Sequence, residues 1–172
     1  MKPVPVLYLD IDGTVRHGKD ELGYFVGKSS EVIVFPEAKE LILKAKKEGW
    51  RIVGISNQGG IALGLANLND IAESMLETHK QCNFAFDKIA FCQHHPNAKD
   101  LEYAVCWCRK PRAGLVIESA LELAKINNEY YPPHMALFVG DRPEDKECAE
   151  ACNIKFMDAK EWRSQIIPQP SV

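Results

Sequence analysis

The sequence predicts an α/β fold, a three-layer Rossmann-like arrangement in which a mainly parallel five-stranded sheet carries helices on both faces. Three observations predict it. Apolar runs of strand length alternate along the chain with stretches of helical periodicity, the pattern of parallel strands joined by crossover helices. Three of those runs end in polar residues, and in a parallel sheet such ends converge on one edge. The 172 residues are 46% hydrophobic and 26% charged, enough for one full core without covalent staples.

The elements follow in order. Val4 to Leu9 is the first strand. Between Gly13 and Phe35 there is room for a short flap, including Arg16-His17-Gly18-Lys19-Asp20-Glu21, but not for a cap domain. Pro36 opens a helix with Ala38, Leu41, Ile42 and Ala45 on one face, and Gly49 follows its lysine-rich end. Arg51 to Ser56 is the second strand. Asn69 caps a helix with Ile71, Ala72, Met75, Leu76 and His79 on its apolar side, and Lys88 to Cys92 is a short third strand. Pro111 starts a helix with Leu115, Val116, Ala120, Leu123 and Ala124 facing inward. Met135 to Val139 is the fourth strand, and Pro143, Glu144 and Asp145 form the first turn of the next helix, where acids suit the dipole. Ile154 to Met157 is the fifth strand and Ala159 to Ile166 the closing helix. One domain is expected over residues 1–167, with 168–172 a frayed tail.

The polar strand ends are Asp10-Ile11-Asp12-Gly13-Thr14, Ser56-Asn57-Gln58-Gly59 and Gly140-Asp141-Arg142, and Arg109-Lys110 before the third crossover helix can join them. Asp10 and Asp12 leave the first strand in roughly the same direction, because side chains alternate along extended chain. Two like charges so close call for a cation or a shared proton. A site with three acids, hydroxyls, turn amides and a lysine suits a divalent cation and a phosphoryl group, with Asp10 as nucleophile and Asp12 as proton donor.

Six cysteines do not read as a disulfide framework. Cys92-x-His94 and Cys106-x-Cys108 supply three thiolates and one imidazole, a closed tetrahedral set for a structural Zn²⁺. His95 is the competing imidazole. The ion would pin the loop 92–108, which is poor in apolar residues, and so place Arg109 and Lys110 at the site mouth. Cys82, Cys148 and Cys152 have no partner at ligand spacing and read as small core residues.

These motifs resemble the four motifs of the haloacid-dehalogenase-like phosphohydrolases, in order Asp10-Ile11-Asp12-Gly13-Thr14, Ser56, Lys110 and Gly140-Asp141-Arg142-Pro143-Glu144-Asp145. A nearer resemblance is to the branch with heptose-bisphosphate and histidinol-phosphate phosphatases. It rests on Ser56-Asn57-Gln58-Gly59-Gly60-Ile61-Ala62 and on the zinc loop running from Cys92-Gln93-His94-His95-Pro96 to Cys106-Trp107-Cys108-Arg109-Lys110-Pro111. The resemblance implies Mg²⁺ held by Asp10, Asp141 and the main-chain carbonyl of Asp12, with an aspartyl-phosphate formed on Asp10. Asp12 is then acid and base, Ser56, the amides of Asn57, Gln58 and Gly59, and Lys110 hold phosphoryl oxygens, and Asp145 supports the site. Thr14 is an anion contact, and Arg109 and Arg142 are candidate second contacts to an anionic or polyhydroxylated substrate. The heptose enzymes usually carry Arg where Ile11 and Leu63 stand, and their flap differs in composition.

A net charge of −3 with both signs interspersed gives no nucleic-acid footprint and no attraction to an anionic membrane. No signal-peptide pattern or membrane-length apolar run is present, so a cytoplasmic, monomeric enzyme of carbohydrate metabolism is expected. The expected activity is Mg²⁺-dependent hydrolysis of a small phosphorylated sugar or related metabolite. The alternatives are histidinol-phosphate phosphatase, polynucleotide 3′-phosphatase, or a catalytically idle zinc-stabilised binding domain.

Overall fold

The computed structural model describes residues 1–19 and 25–165. In chain order they form β1 (Lys2–Pro3), β2 (Val6–Leu9), β3 (Arg16–His17), β4 (Ile33–Val34), α1 (Pro36–Lys47), β5 (Arg51–Asn57), α2 (Leu68–Gln81) and β6 (Lys88–Cys92). Then come α3 (Leu101–Ala104), α4 (Gly114–Asn127), β7 (Glu129–Tyr130), β8 (Ala136–Gly140), α5 (Pro143–Ala151), β9 (Lys155–Asp158) and α6 (Ala159–Arg163). The sheet has the spatial order β6-β5-β2-β8-β9, with every pairing parallel.

β2 is the central strand, bonded on both sides and covered on both faces, which is why Val6-Leu7-Tyr8-Leu9 is apolar throughout. The two-residue pleat sends alternate side chains to opposite layers. Leu7 and Leu9 pack with Leu41 and Ile42 of α1, Ile71 and Met75 of α2 and Trp162 of α6. Val6 and Tyr8 pack with Leu115, Val116 and Leu123 of α4 and Cys148 of α5. Each fully buried aliphatic side chain of this kind contributes about 1.5–3 kcal/mol of transfer free energy.

At the amino end of the sheet, Arg51 makes a forked pair with Glu129 and a further bond to Asp87, whose Oδ2 accepts from the Ile52 amide and from Lys46. This ties β5 to β7 and to the approach to β6. At the other end, β3 and β4 pair antiparallel as the base of the flap. Residues 20–24, the Ile166 end of the closing helix and the tail lie outside the described residues. Among the described residues no helix is long and apolar enough to cross a membrane.

Several boundaries differ from the sequence expectation, each for a local reason. The first strand begins at Val6 rather than Val4, while Lys2 and Pro3 pair separately with Glu129 and Tyr130; Pro5 has no N–H to offer a ladder. The cap of α2 is Asn67, two residues before the expected Asn69, whose amide donates to Asn67 Oδ1 at 2.8 Å. Ala72 and Leu76 of α2 face solvent, and the buried stripe is Ile71, Ser74, Met75 and Thr78. α4 begins at Gly114, not Pro111, because the preceding turn is drawn away by Asn57 and by the Gly114 amide bonding to Trp107 O. The fourth and fifth strands each shift one residue toward the C-terminus.

Candidate active site

Asp10 follows the last residue of β2 and stays beside β8, its amide donating to Val139 O at 2.9 Å. Gly13 then turns the chain at φ +90°, a conformation that costs a side-chain-bearing residue strain. The Asp10 carboxylate is gripped on both oxygens, Oδ1 by Lys110 Nζ at 2.6 Å and Oδ2 by the Thr14 hydroxyl at 3.2 Å. Lys110 is only 3% exposed; it also donates to Ile55 O at 2.8 Å and pairs with Asp145 Oδ1 at 2.6 Å. Burial alone would favour a neutral amine, but Asp10 and Asp145 outweigh it and hold Lys110 as a cation. Asn57 fixes the lysine from behind, its amide accepting from Lys110 N and donating to Lys110 O, each at 3.0 Å.

Asp145, at the first turn of α5, accepts the amides of Asp141 and Arg142 on Oδ2 at 3.2 and 3.1 Å. It therefore shapes the β8–α5 turn while its other oxygen orients Lys110. Gly140 permits this, since a Cβ there would lie 2.4 Å from the Asp145 Cβ. Burial raises Asp145 to about 6, with Asp10 adding repulsion. Asp10 is raised to about 6 by burial, against the pull of Lys110 and with a push from Asp141 and Asp12. Asp141 is raised by burial and by Asp145.

Asp10, Asp141 and Asp145 each offer an oxygen within 4.8 Å of the others. Asp141 Oδ1 is buried and has no hydrogen-bond partner among the described residues. An unmatched acceptor among three mutually repelling carboxyls fits a hard divalent cation. The side chain of Asp12 is not part of this group. Arg16 Nε donates to Asp12 Oδ1 at 2.8 Å and Gln58 Nε2 to Asp12 Oδ2 at 2.6 Å. Only the main-chain carbonyl of Asp12 remains for the role expected of it at a metal.

The cavity over Asp10 is walled by Asp12, Ser56, Asn57, Lys110 and Arg142, joined by three residues not expected to contact substrate, Phe25, Glu144 and Asp145. Four expected contacts are not among the residues that line it. The Thr14 hydroxyl is spent on Asp10, and Gln58 is buried, its main-chain N–H donating to Cys92 O at 2.7 Å and its side-chain amide bridging Asp12 and Ser56 Oγ. Gly59 lies against Arg109, which donates to His94 O at 3.0 Å. The sequence did not mark Phe25 or Arg16 as site residues. Arg16 lies four residues beyond Asp12, and the turn that sends Gly13 N to Arg16 O returns it to that acid.

Cys92, His94, Cys106 and Cys108 gather into one cluster. Their separations are 3.7 Å for Cys92–Cys106 Sγ, 3.1 Å for Cys92–Cys108 Sγ, and 3.5 and 3.4 Å from His94 Nδ1 to Cys92 and Cys108 Sγ. A tetrahedron with arms of about 2.3 Å has edges of roughly 3.7 Å, so the donors fit zinc. His95 is turned away, its Nδ1 accepting from Asn97 N at 3.1 Å. Cys82, Cys148 and Cys152 are free, and Cys82 and Cys148 are buried.

A buried aspartate, a lysine and further acids at the carboxyl edge of this parallel sheet define a haloacid-dehalogenase-like phosphatase, and the solved structures agree. A Mesorhizobium loti protein described as a candidate HAD-like phosphatase matches the fold with a TM-score of 0.77 at 23% identity, over 90% of this chain and 71% of the other. The D,D-heptose 1,7-bisphosphate phosphatase of B. bronchiseptica, complexed with magnesium and phosphate, matches with a TM-score of 0.68 at 25% identity, over 91% of this chain and 79% of the other. The chain belongs to the polynucleotide kinase 3 phosphatase family, whose model matches residues 5–162. Among curated relatives, the D-glycero-D-manno-heptose-1,7-bisphosphate 7-phosphatase of Chlorobaculum tepidum is 31% identical over 159 residues, 90% of this chain and 78% of the relative. The corresponding Escherichia coli enzyme is 30% identical over 161 residues, 89% of this chain and 77% of the relative.

Proposed function

We propose that this phosphatase is a Mg²⁺-dependent phosphomonoesterase that works through an aspartyl-phosphate on a small phosphorylated sugar. One observation carries the reading. Asp10 is buried at the strand end with one carboxylate oxygen on Lys110 and the other on Thr14, so it is aimed and cannot rotate away from a bound phosphoryl group.

In the first half-reaction an Asp10 oxygen bonds to phosphorus, the bond to the leaving oxygen breaks, and Asp12 gives that oxygen its proton. In the second, Asp12 takes a proton from water, the water oxygen bonds to phosphorus, and the Asp10–phosphorus bond breaks to release inorganic phosphate. Ser56 Oγ already accepts from Gln58, so its own O–H is left to donate to a phosphoryl oxygen. Lys110, held cationic, supplies a fixed positive charge beside the phosphoryl site, and such preorganised electrostatics are worth several kcal/mol of barrier lowering. Asp10, Asp141 and the Asp12 carbonyl would hold Mg²⁺, which when bound neutralises the repulsion between carboxylate and phosphate. The zinc cluster is structural, since four protein donors leave no open position.

The sugar assignment rests on the heptose-bisphosphate phosphatases among the relatives. The family-model match carries a second reading, a polynucleotide 3′-phosphate, against which stands the net charge of −3, unsuited to tracking a polyanion. The test is phosphate release from sugar phosphates, histidinol phosphate and a 3′-phosphorylated oligonucleotide, with and without Mg²⁺. Turnover of sugar phosphates only with Mg²⁺, abolished in a folded Asp10→Asn variant, is expected. Release at the wild-type rate by that variant would remove Asp10 as nucleophile, and preference for the oligonucleotide would select the second reading.

A further inference from the structure

We propose that Arg16 is the positioning residue for proton transfer, holding the Asp12 carboxyl at the leaving-group oxygen by anchoring it to α2. The inference rests on the acid–base role assigned to Asp12 above and adds to it the part that keeps that acid in place. Arg16 is fully buried, at the start of the flap hairpin. Its Nε donates to Asp12 Oδ1 at 2.8 Å. Its Nη1 donates to three acceptors on α2, Ser74 O at 2.8 Å, Ser74 Oγ at 3.1 Å and Thr78 Oγ1 at 2.8 Å. The guanidinium is planar and rigid, so fixing one end fixes the other. With Gln58 on Oδ2, each Asp12 oxygen is held from one side. Asp12 lines the cavity over Asp10.

A purely structural role fits the contacts poorly. The buried charge costs desolvation, and Arg16 Nη2 has no hydrogen-bond partner among the described residues. An apolar side chain at this position would avoid both costs. What an apolar side chain could not do is reach back four residues and fix a carboxyl.

A general acid matters in proportion to how poor the leaving group is, so the test is the dependence of kcat/KM on leaving group across substituted phenyl phosphates. Wild type should show a shallow dependence. Arg16→Met should lose about 10²-fold on phenyl phosphate but less than about tenfold on p-nitrophenyl phosphate, whose anion leaves unassisted. Ser74→Ala/Thr78→Val, which keeps the Arg16–Asp12 pair but removes its side-chain anchors, should fall between. Equal losses on both esters in Arg16→Met would show a structural role and overturn the proposal. Should Arg16→Met fail to fold, the double variant decides, and a wild-type slope there overturns it as well. Asp12→Asn is the separate control: if its slope matches wild type, the acid role itself is wrong, whatever Arg16 does.

Discussion

Gly140→Ala puts the β8–α5 turn under direct test. The new methyl would lie 2.4 Å from the Asp145 Cβ and 2.5 Å from its Cγ and Oδ2, where ordinary contact begins at 3.4 Å. Asp145 must therefore retreat by about 1 Å, and because the clash is with Cβ, a rotamer change does not relieve it. The two amide bonds to Oδ2, now 3.2 and 3.1 Å, stretch to roughly 4 Å and cease to be hydrogen bonds. Overpacking and the loss of bonds to a buried carboxylate together cost about 3 kcal/mol. The same retreat pulls Asp145 Oδ1 from Lys110, which is left with Asp10 and the Ile55 carbonyl, so turnover should fall at least about tenfold. Urea unfolding followed by circular dichroism measures the first effect, and phosphate release at saturating substrate the second. Stability within about 0.5 kcal/mol of wild type, with unchanged turnover, would refute the reasoning.

Other perturbations probe the remaining parts. Cys106→Ser should drop zinc from about one atom per chain to near none and lower both the melting temperature and turnover; a metal-free variant with wild-type values of both would dismiss the structural role. Asn57→Ala frees both main-chain groups of Lys110 and should cost about 1–3 kcal/mol together with most of the activity, measured by unfolding and phosphate release. Asp87 tests linkage. Burial pushes its carboxyl up, but Lys46, the Ile52 amide and Arg51 outweigh that and hold it below the usual carboxylate range. Its stabilisation is thus present above pH about 4 and lost as pH falls through the lower folded value. Wild type should therefore exceed Asp87→Asn by about 1–3 kcal/mol near pH 6, and the gap should close on acidification; a gap independent of pH would contradict the pairing.

How far the fold was legible follows from where each element gets its stability. β2 is apolar because it is covered on both faces, and α1 shows its buried Ala38, Leu41 and Ile42 at helical spacing, so both could be read from composition and period. The start of α4 could not. Pro111 is a good first residue for a helix, yet the turn before Gly114 obeys Asn57, 53 residues earlier in the chain. Nothing local announces that contact. Similarly, the cap at Asn67 and the one expected at Asn69 are chemically equal in sequence, and only the path of the loop from Gly60 distinguishes them.

The site divides along the same line. Asp10, Asp141, Lys110 and the Cys/His cluster are visible in sequence because their chemistry is unusual and their spacing regular. Arg16 is not, because a lone arginine in a polar flap looks solvated until α2 is placed over it. The signal lay in α2 itself, where hydroxyls at Ser74 and Thr78 occupy the buried stripe and the apolar Leu76 stays half exposed. Both hydroxyls donate within the helix, to Ile71 O and Ser74 O, which leaves their lone pairs to accept from a buried donor such as Arg16. On the proposed mechanism Asp12 supplies the reason for that partner: a carboxyl that gives and takes a proton needs a fixed position more than it needs a strong bond. The arrangement spends a buried charge, and an Nη2 without a hydrogen-bond partner among the described residues, on that position, and the proposed restraint differs by this cost from an ordinary surface ion pair.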